Sequence, residues 1–252
     1  MSPVYYFNSA RTNPVDLNLP DSLTAQAILM ASLLSARKVF DLISKTGLKI
    51  NKAAEIGVYT FSTSAIKPLI EAGIRCDLYE AVPAYAQSIR IETELFPKTR
   101  LFEVAVADYD GEMTLYLAGP STFNALQKES PAINHDKFNT SNANSIRVHC
   151  RDFKSLDDGD YDYVSIDVEG GEFSILSRMN SRPLFINLET QSRDYINPKL
   201  GSITDWMCEN DYKVWFRNDT DTLFMKGPRK SAGVLRDIKA KWHNQRYFGG
   251  RL

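Results

Sequence analysis

Apolar residues along the chain follow two alternating rhythms. Short runs rich in β-branched and aromatic side chains alternate with stretches whose apolar positions recur every three or four residues, the mark of strands alternating with helices. Asp21 or Ser22 is placed to cap a leading helix, LTAQAILMASLLSARKVFDLISKT, that Gly47 ends. A first strand is expected at 53–57, and residues 58–64 are expected to turn into a helix reaching Ala72. Residues 76–79 read as the second strand and 83–90 as the next helix. Residues 100–104 form a third strand, which 105–108 continues into a turn. Asp110-Gly111 then reverses the chain into the alternating strand 113–117. Strands at 145–150, 163–166 and 183–189 follow, with a short connection at 152–156 and a helix at 172–179. A helix at 203–210 leads to a closing antiparallel hairpin, 212–216 and 222–226, around Asn218-Asp219-Thr220-Asp221. Residues 118–145 lack periodicity and carry Ser121, Thr122, Phe123, Asn124 and His135. A long excursion inside a compact domain is expected to be a binding lid.

This order predicts an α/β fold: a mostly parallel, doubly wound sheet closed by a C-terminal antiparallel hairpin. One domain is expected at 50–226, after an extended arm and helix at 1–49 and before a tail at 227–252. The leading helix is expected to cover the sheet or a partner subunit in a homo-oligomer. The tail sets Arg229, Lys230, Arg236, Lys239, Lys241, Arg246 and Arg251 against Asp237, and places Val234, Ile238 and Trp242 on one helical stripe. It reads either as a docked surface helix or as a contact for anionic lipid, polymer or partner.

Charge narrows the field. With 30 Lys and Arg against 31 Asp and Glu, the net charge is −1, so nucleic acid is not an expected partner. Cys76, Cys150 and Cys208 form no CxxC, which suggests neither a zinc knuckle nor a disulfide framework and points to a reducing compartment. The N-terminus has no basic start before an apolar core, and no apolar run approaches the roughly 20 residues of a membrane span. A cytoplasmic location is the expectation.

Acids recur where strands end: Glu55, Glu80, Asp167 and Glu189. In open α/β sheets ligands bind outside the carboxyl ends of the strands. Gly57, at a strand-to-helix turn, would let the backbone approach a ligand and present free N–H groups to it. Glu80, 25 residues past Glu55 (80 − 55), is placed to accept both hydroxyl protons of a ribose. Together these positions point to a nucleoside-like ligand. The GxGxxG fingerprint is absent, because Tyr59 and Ser62 hold its later glycine positions, and no GxxxxGK[ST] loop occurs. The Asp167-Val168-Glu169-Gly170-Gly171 segment reads as part of a site or as a solvated turn.

The segments EIGVYTFS, LYEAVPAY, EVAVADYDGEMTLYL, VSIDVEGGEFSIL and FINLETQ, in that order and spacing over roughly residues 50–226, resemble the FkbM family of S-adenosylmethionine-dependent methyltransferases. The resemblance implies a class I methyltransferase (Rossmann-like) fold, S-adenosylmethionine as cofactor, and O-methylation of a sugar, glycan or related natural-product hydroxyl. By position it implies Glu55 and Gly57 near the methionine amino group, with Tyr59 and Thr60 in the same loop. It implies Glu80 on the ribose hydroxyls, Ala107 and Asp108 beside the adenine, and Asp167 beside the transferred methyl. The family's first motif, D-x-G-x-N-x-G, is altered here: Glu55, Tyr59 and Phe61 replace its Asp, Asn and second Gly. Candidate bases are Asp167, Glu169 and His149, although a histidine within a strand also reads as a packed core residue. Asp167 and Glu189 are alternatively placed to hold a divalent cation such as Mg²⁺. Two rival readings stay open: a methyltransferase-like binding protein without catalysis, and an enzyme acting on a lipid-linked or polymeric acceptor at a membrane.

Overall fold

The computed structural model describes residues 36–134, 136–192 and 195–227. The expectations for the N-terminal arm, the cap at Asp21 or Ser22, His135 and the basic tail from Pro228 onward lie outside the described residues. Helix α1 is described over residues 36–45. It buries Ala36, Val39 and Ile43, spaced three and four apart, and the chain leaves it through Gly47 at φ +72°. The strands are β1 (Lys52–Ile56), β2 (Arg75–Tyr79), β3 (Thr99–Phe102), β4 (Ala105–Ala107), β5 (Gly111–Tyr116) and β6 (Phe123–Asn124), then β7 (Ser145–Asp152), β8 (Tyr163–Ile166), β9 (Phe185–Glu189), β10 (Tyr212–Arg217) and β11 (Asp221–Lys226). The other helices are α2 (Lys67–Glu71), α3 (Pro83–Glu92), α4 (Pro131–Asn134), α5 (Phe153–Leu156), α6 (Glu172–Leu176) and α7 (Leu200–Glu209).

Seven strands make the central sheet, in the order β10-β11-β9-β8-β1-β2-β3. All neighbours pair in parallel except β11, which is antiparallel to both β9 and β10. The chain winds outward from β1 to β3, then returns to β8 on the other side of β1. That reversal opens a crevice at the carboxyl ends of β1 and β8, where ligands of such sheets bind. Both faces are covered. Ala54, Ile56, Val164, Ile166, Ile186 and Leu188 pack toward Ile175, Leu176, Ile203 and Met207. Their strand neighbours Ala53, Leu78, Tyr163 and Phe185 pack toward Val39, Ile43, Ile66, Leu69 and Ile89. Alternate side chains of a strand point to opposite faces, so near-continuous apolar runs mark a sheet buried on both sides. Among the described residues, no helix is long and apolar enough to cross a membrane.

The structure corrects the expected layout at 105–108, which do not continue β3, and decides which sheet takes the strand expected at 145–150. Both belong to a second, four-stranded sheet, β4-β7-β5-β6. In it β4 and β7 are parallel, and β7 with β5, and β5 with β6, are antiparallel. Its inner face packs Ala105, Ala107, Met113, Leu115, Val148 and Cys150 against Val82 and Tyr85 of the α3 entry. The excursion at 118–145 contains β6, which pairs with β5 in this sheet, and α4. The helix expected to follow the turn at 58–64 runs from Lys67 to Glu71. Tyr59 takes φ +59°, which is not helical, and Pro68 in the first helical turn lacks an N–H and would clash with an earlier turn.

Candidate functional site

A cavity of ≈ 970 Å³ opens at the carboxyl ends of β1, β2, β8 and β9. One wall is the β1 turn. Gly57 sits at φ +83°, and a Cβ there would lie 1.8 Å from the Asp167 carbonyl oxygen. The glycine is therefore required by the close approach of β1 and β8, where the Asp167 N–H donates to the Ile56 carbonyl at 3.0 Å. The close approach that demands glycine here is that of the neighbouring strand end. The turn is braced by carboxylates. Glu80 accepts from the Tyr59 and Val82 N–H groups, each at 2.8 Å. Glu55 accepts from the Ser64 hydroxyl at 2.5 Å and the Ala65 N–H at 2.8 Å. Burial pushes Glu55 up to about 7, although Ser64 and Ala65 pull the other way. Burial raises Glu80 as well, against its backbone hydrogen bonds.

Of the sequence-predicted residues, Glu55, Gly57, Tyr59, Glu80, Ala107, Asp108, Asp167 and Glu169 all line this cavity. Thr60 does not. Its hydroxyl turns into its own loop, 2.8 Å from Thr63 Oγ1 and 3.0 Å from Ser62 Oγ. Phe61 also lies outside the lining. It is buried in the core, its ring 5.5 Å from that of Phe96 with Lys67 Nζ 4.9 Å above it, so the bulk that replaces glycine does not fill the cleft. His149 is neither a cleft residue nor a core histidine. It is exposed on β7, opposite Glu112, beside a shallow depression with Asp110 and Arg151. It cannot reach the cavity because β5 and β7 turn it to the outside of the second sheet.

The far end of the cavity is acidic. The carboxylates of Asp167, Glu172 and Glu189 approach one another within 4.8 Å. Asp167 sits deep in the cleft yet open to it, and depth, then Asp221, Glu172 and Glu55, raise its carboxyl well above the ordinary range. Burial, then neighbouring Asp167, pushes Glu169 up to about 9 and Glu189 up to about 11. The Oε2 atoms of Glu169 and Glu189 are buried without a hydrogen-bond partner. Glu169 is held at φ +58° and Gly170 at +107°. Glu172 is the residue that sequence reasoning passed over. Fully buried, it accepts from the N–H groups of Val168 and Gly170 at 3.1 and 3.0 Å and from Asn197 Nδ2 at 2.7 Å. It thereby fixes the 168–170 loop. Its signal was an acid directly after a glycine pair, which equally describes a solvated helix start.

The match to known proteins follows this geometry. Residues 53–214 match the family described as the methyltransferase FkbM domain. The chain belongs to that family. This FkbM-domain protein is accordingly an S-adenosylmethionine-dependent methyltransferase on a class I fold. No curated protein matches the chain. Among solved structures it is similar to magnesium protoporphyrin IX methyltransferase from Synechocystis PCC 6803, at 9% identity over 83% of this chain and 86% of that one, TM-score 0.47. It is also similar to a precorrin-6y C5,15-methyltransferase from Geobacter metallireducens, at 16% identity over 82% and 90%, TM-score 0.37. A third, a TehB-like methyltransferase from Corynebacterium glutamicum, has 9% identity over 77% and 87%, TM-score 0.38. The donor set suits the cofactor's charge. Among the described lining residues eight are Asp or Glu, and the single Lys or Arg is Lys38, whose ammonium lies 5.1 Å from the Phe216 ring centre. Acids that hold their protons in such a cleft release them to an entering positive charge, so the set favours a cation.

Proposed function

We propose that this FkbM methyltransferase methylates a hydroxyl of a sugar, glycan or related natural product. The observation that carries the reading is how the cavity continues past the β1 turn. It runs on to the partnerless Glu169 and Glu189 oxygens and is edged there by Thr122, Asn124, Gln127, Asn218 and Thr220. Amide and hydroxyl groups of this kind hold a polyhydroxylated acceptor by hydrogen bonds. The volume, near the top of the roughly 300–1,000 Å³ of small-molecule sites, leaves room for two ligands side by side.

The residues divide the work. Glu80 accepts the ribose hydroxyls with the lone pairs its two backbone donors leave free. Ala107 and Asp108, with Tyr85 and Met113, border the adenine slot, and Glu55 and Tyr59 border the methionine end. When bound, S-adenosylmethionine supplies a methyl group made electrophilic by its sulfonium. Asp167 fixes the inner limit of the acceptor site. Glu169 takes the hydroxyl proton at Oε2. Its raised pKa makes it a strong base once ionised, and positive charge entering the cleft lowers that pKa toward neutrality.

The test is methyl transfer to a panel of free sugars and glycans, with the product's new bond assigned by NMR. Glu169→Gln is expected to lower kcat by about 10²–10⁴-fold while the cofactor Kd changes little. Transfer to nitrogen or carbon, or to no hydroxyl in a protein that binds the cofactor, would overturn the reading.

A further inference from the structure

We infer that the acidic end of the cleft is a divalent-cation site, with Asp167 and Glu189 as its protein ligands and Glu172 as the anchored anion behind them. The inference deepens the O-methyltransferase reading and rests on it for what the ion does, though not for whether the ion binds.

Three observations converge. The first is geometric. One carboxylate oxygen from each of Asp167, Glu172 and Glu189 lies within 4.8 Å of the others, so that small side-chain shifts bring them to the bond lengths of about 2.0–2.6 Å of one shared divalent cation. The second is the unmet polar groups around them. Buried carboxylate oxygens in native proteins are nearly always paired, yet the Oε2 atoms of Glu169 and Glu189 are not. Tyr195 adds a different chemistry. It is 4% exposed, its hydroxyl is buried and partnerless, and the charges acting on it are those of Glu172, Glu189, Glu169 and Asp167. That hydroxyl lies 3.8 Å from the Cβ position of Gly170, beside the loop of Glu169, and a buried hydroxyl with no bond of its own calls for a partner such as a water on a metal ion. The third is charge. Among the described lining residues, Lys38 is the one Lys or Arg against eight Asp and Glu side chains, and it is exposed over the Phe216 ring, so no cation of the lining is paired with the acidic end.

The ligand chemistry selects the ion. An all-oxygen carboxylate set with no His or Cys suits a hard cation and not Zn²⁺. Asp167 is open to the cavity, so an ion there keeps coordination positions for acceptor hydroxyls. An ion there would supply Lewis-acid activation of an acceptor hydroxyl, with Asp167 and Glu189 as the residues that would hold it and Glu169 placed beside them.

The test is titration of the full-length protein, first stripped with chelator, with Mn²⁺. Free Mn²⁺ is read by electron paramagnetic resonance, with Mg²⁺ and Ca²⁺ as competitors. One Mn²⁺ per chain is expected, bound at least about tenfold more weakly in Glu189→Gln and in Asp167→Asn. The exposed His149→Ala is expected to bind as the wild type does. Circular dichroism and urea unfolding report that each variant is folded. If Glu189→Gln fails to fold, Asp167→Asn, whose side chain opens into the cavity, carries the test. No Mn²⁺ bound at millimolar concentration by folded, cofactor-binding protein would overturn the site. So would affinity unchanged in both carboxylate variants, while full-rate hydroxyl methylation in chelator would overturn the ion's part in the reaction. Mn²⁺ binding as described, with methyl transferred to nitrogen, would support the site and overturn the hydroxyl reading alone.

Discussion

Gly57 offers a test in which two costs separate. At φ +83°, any L side chain meets a left-handed backbone, a cost of about 1–2 kcal/mol. An alanine Cβ would also lie 1.8 Å from the Asp167 carbonyl oxygen, 2.9 Å from its carbonyl carbon and 3.4 Å from Val168 Cγ1. Those first two atoms are backbone at the end of a central strand, so relief requires β1 and β8 to separate, and overpacking of this kind costs about 1–3 kcal/mol more. Gly73 provides the control, because it has nearly the same backbone, φ +74°, and nothing within 4 Å of its Cβ position. Urea unfolding of both alanine variants is the assay. Gly73→Ala is expected to lose about 1–2 kcal/mol, and Gly57→Ala about 2–5 kcal/mol in total. Against a typical stability of about 5–15 kcal/mol, the larger loss is easily resolved. Gly57→Ala should also shift Asp167 and weaken cofactor binding, whereas Gly73→Ala should leave binding intact. Equal losses in the two variants would refute the reasoning, since the contact with Asp167 would then not be what demands glycine.

Three further outcomes are expected. Restoring the family glycine by Phe61→Gly should cost about 3–5 kcal/mol of stability, because Phe61 is a buried core ring, and should not tighten cofactor binding; a calorimetric titration beside the unfolding curve checks both. Glu80→Gln keeps one acceptor oxygen but sets an amide against a backbone donor, and is expected to weaken S-adenosylhomocysteine binding about 10–100-fold; an unchanged Kd would leave Glu80 as a brace for Tyr59 and Val82 only. Glu55 gives a pH signature. Folded Glu55 holds its proton up to about 7 while the unfolded carboxyl loses it near 4.5, so over that window the native state binds more protons and stability falls as pH rises. Unfolding midpoints of wild type and Glu55→Gln should therefore diverge between those pH values by up to about 3 kcal/mol, to the wild type's disadvantage, and run parallel above them.

What the sequence determined here was local and periodic. The β1, β2, β8 and β9 strands are apolar on both faces and end in acids, so Glu55, Glu80, Asp167 and Glu189 were legible as strand-end carboxylates before any pairing was known. The closing hairpin was legible too, because its turn residues and alternation are properties of neighbours in the chain. Membership of a sheet was not. The alternation of Met113 and Leu115 with exposed Glu112 and Thr114 says that one face is buried and does not say against what, so the second sheet emerged only when β4 and β7 paired across a long separation in sequence. Side-chain direction was decided the same way. Phe61 and Thr60 belong to the motif loop but turn away from the cleft, and His149 faces outward, because the left-handed Tyr59 and the β5–β7 register set those directions. Glu172 gained its role only when the chain brought Asn197 and the 168–170 backbone to it. A sequence records which residues are charged. Only the tertiary structure decides which of those charges are buried beside one another, and that proximity is what gives the carboxylates of this cleft their chemistry.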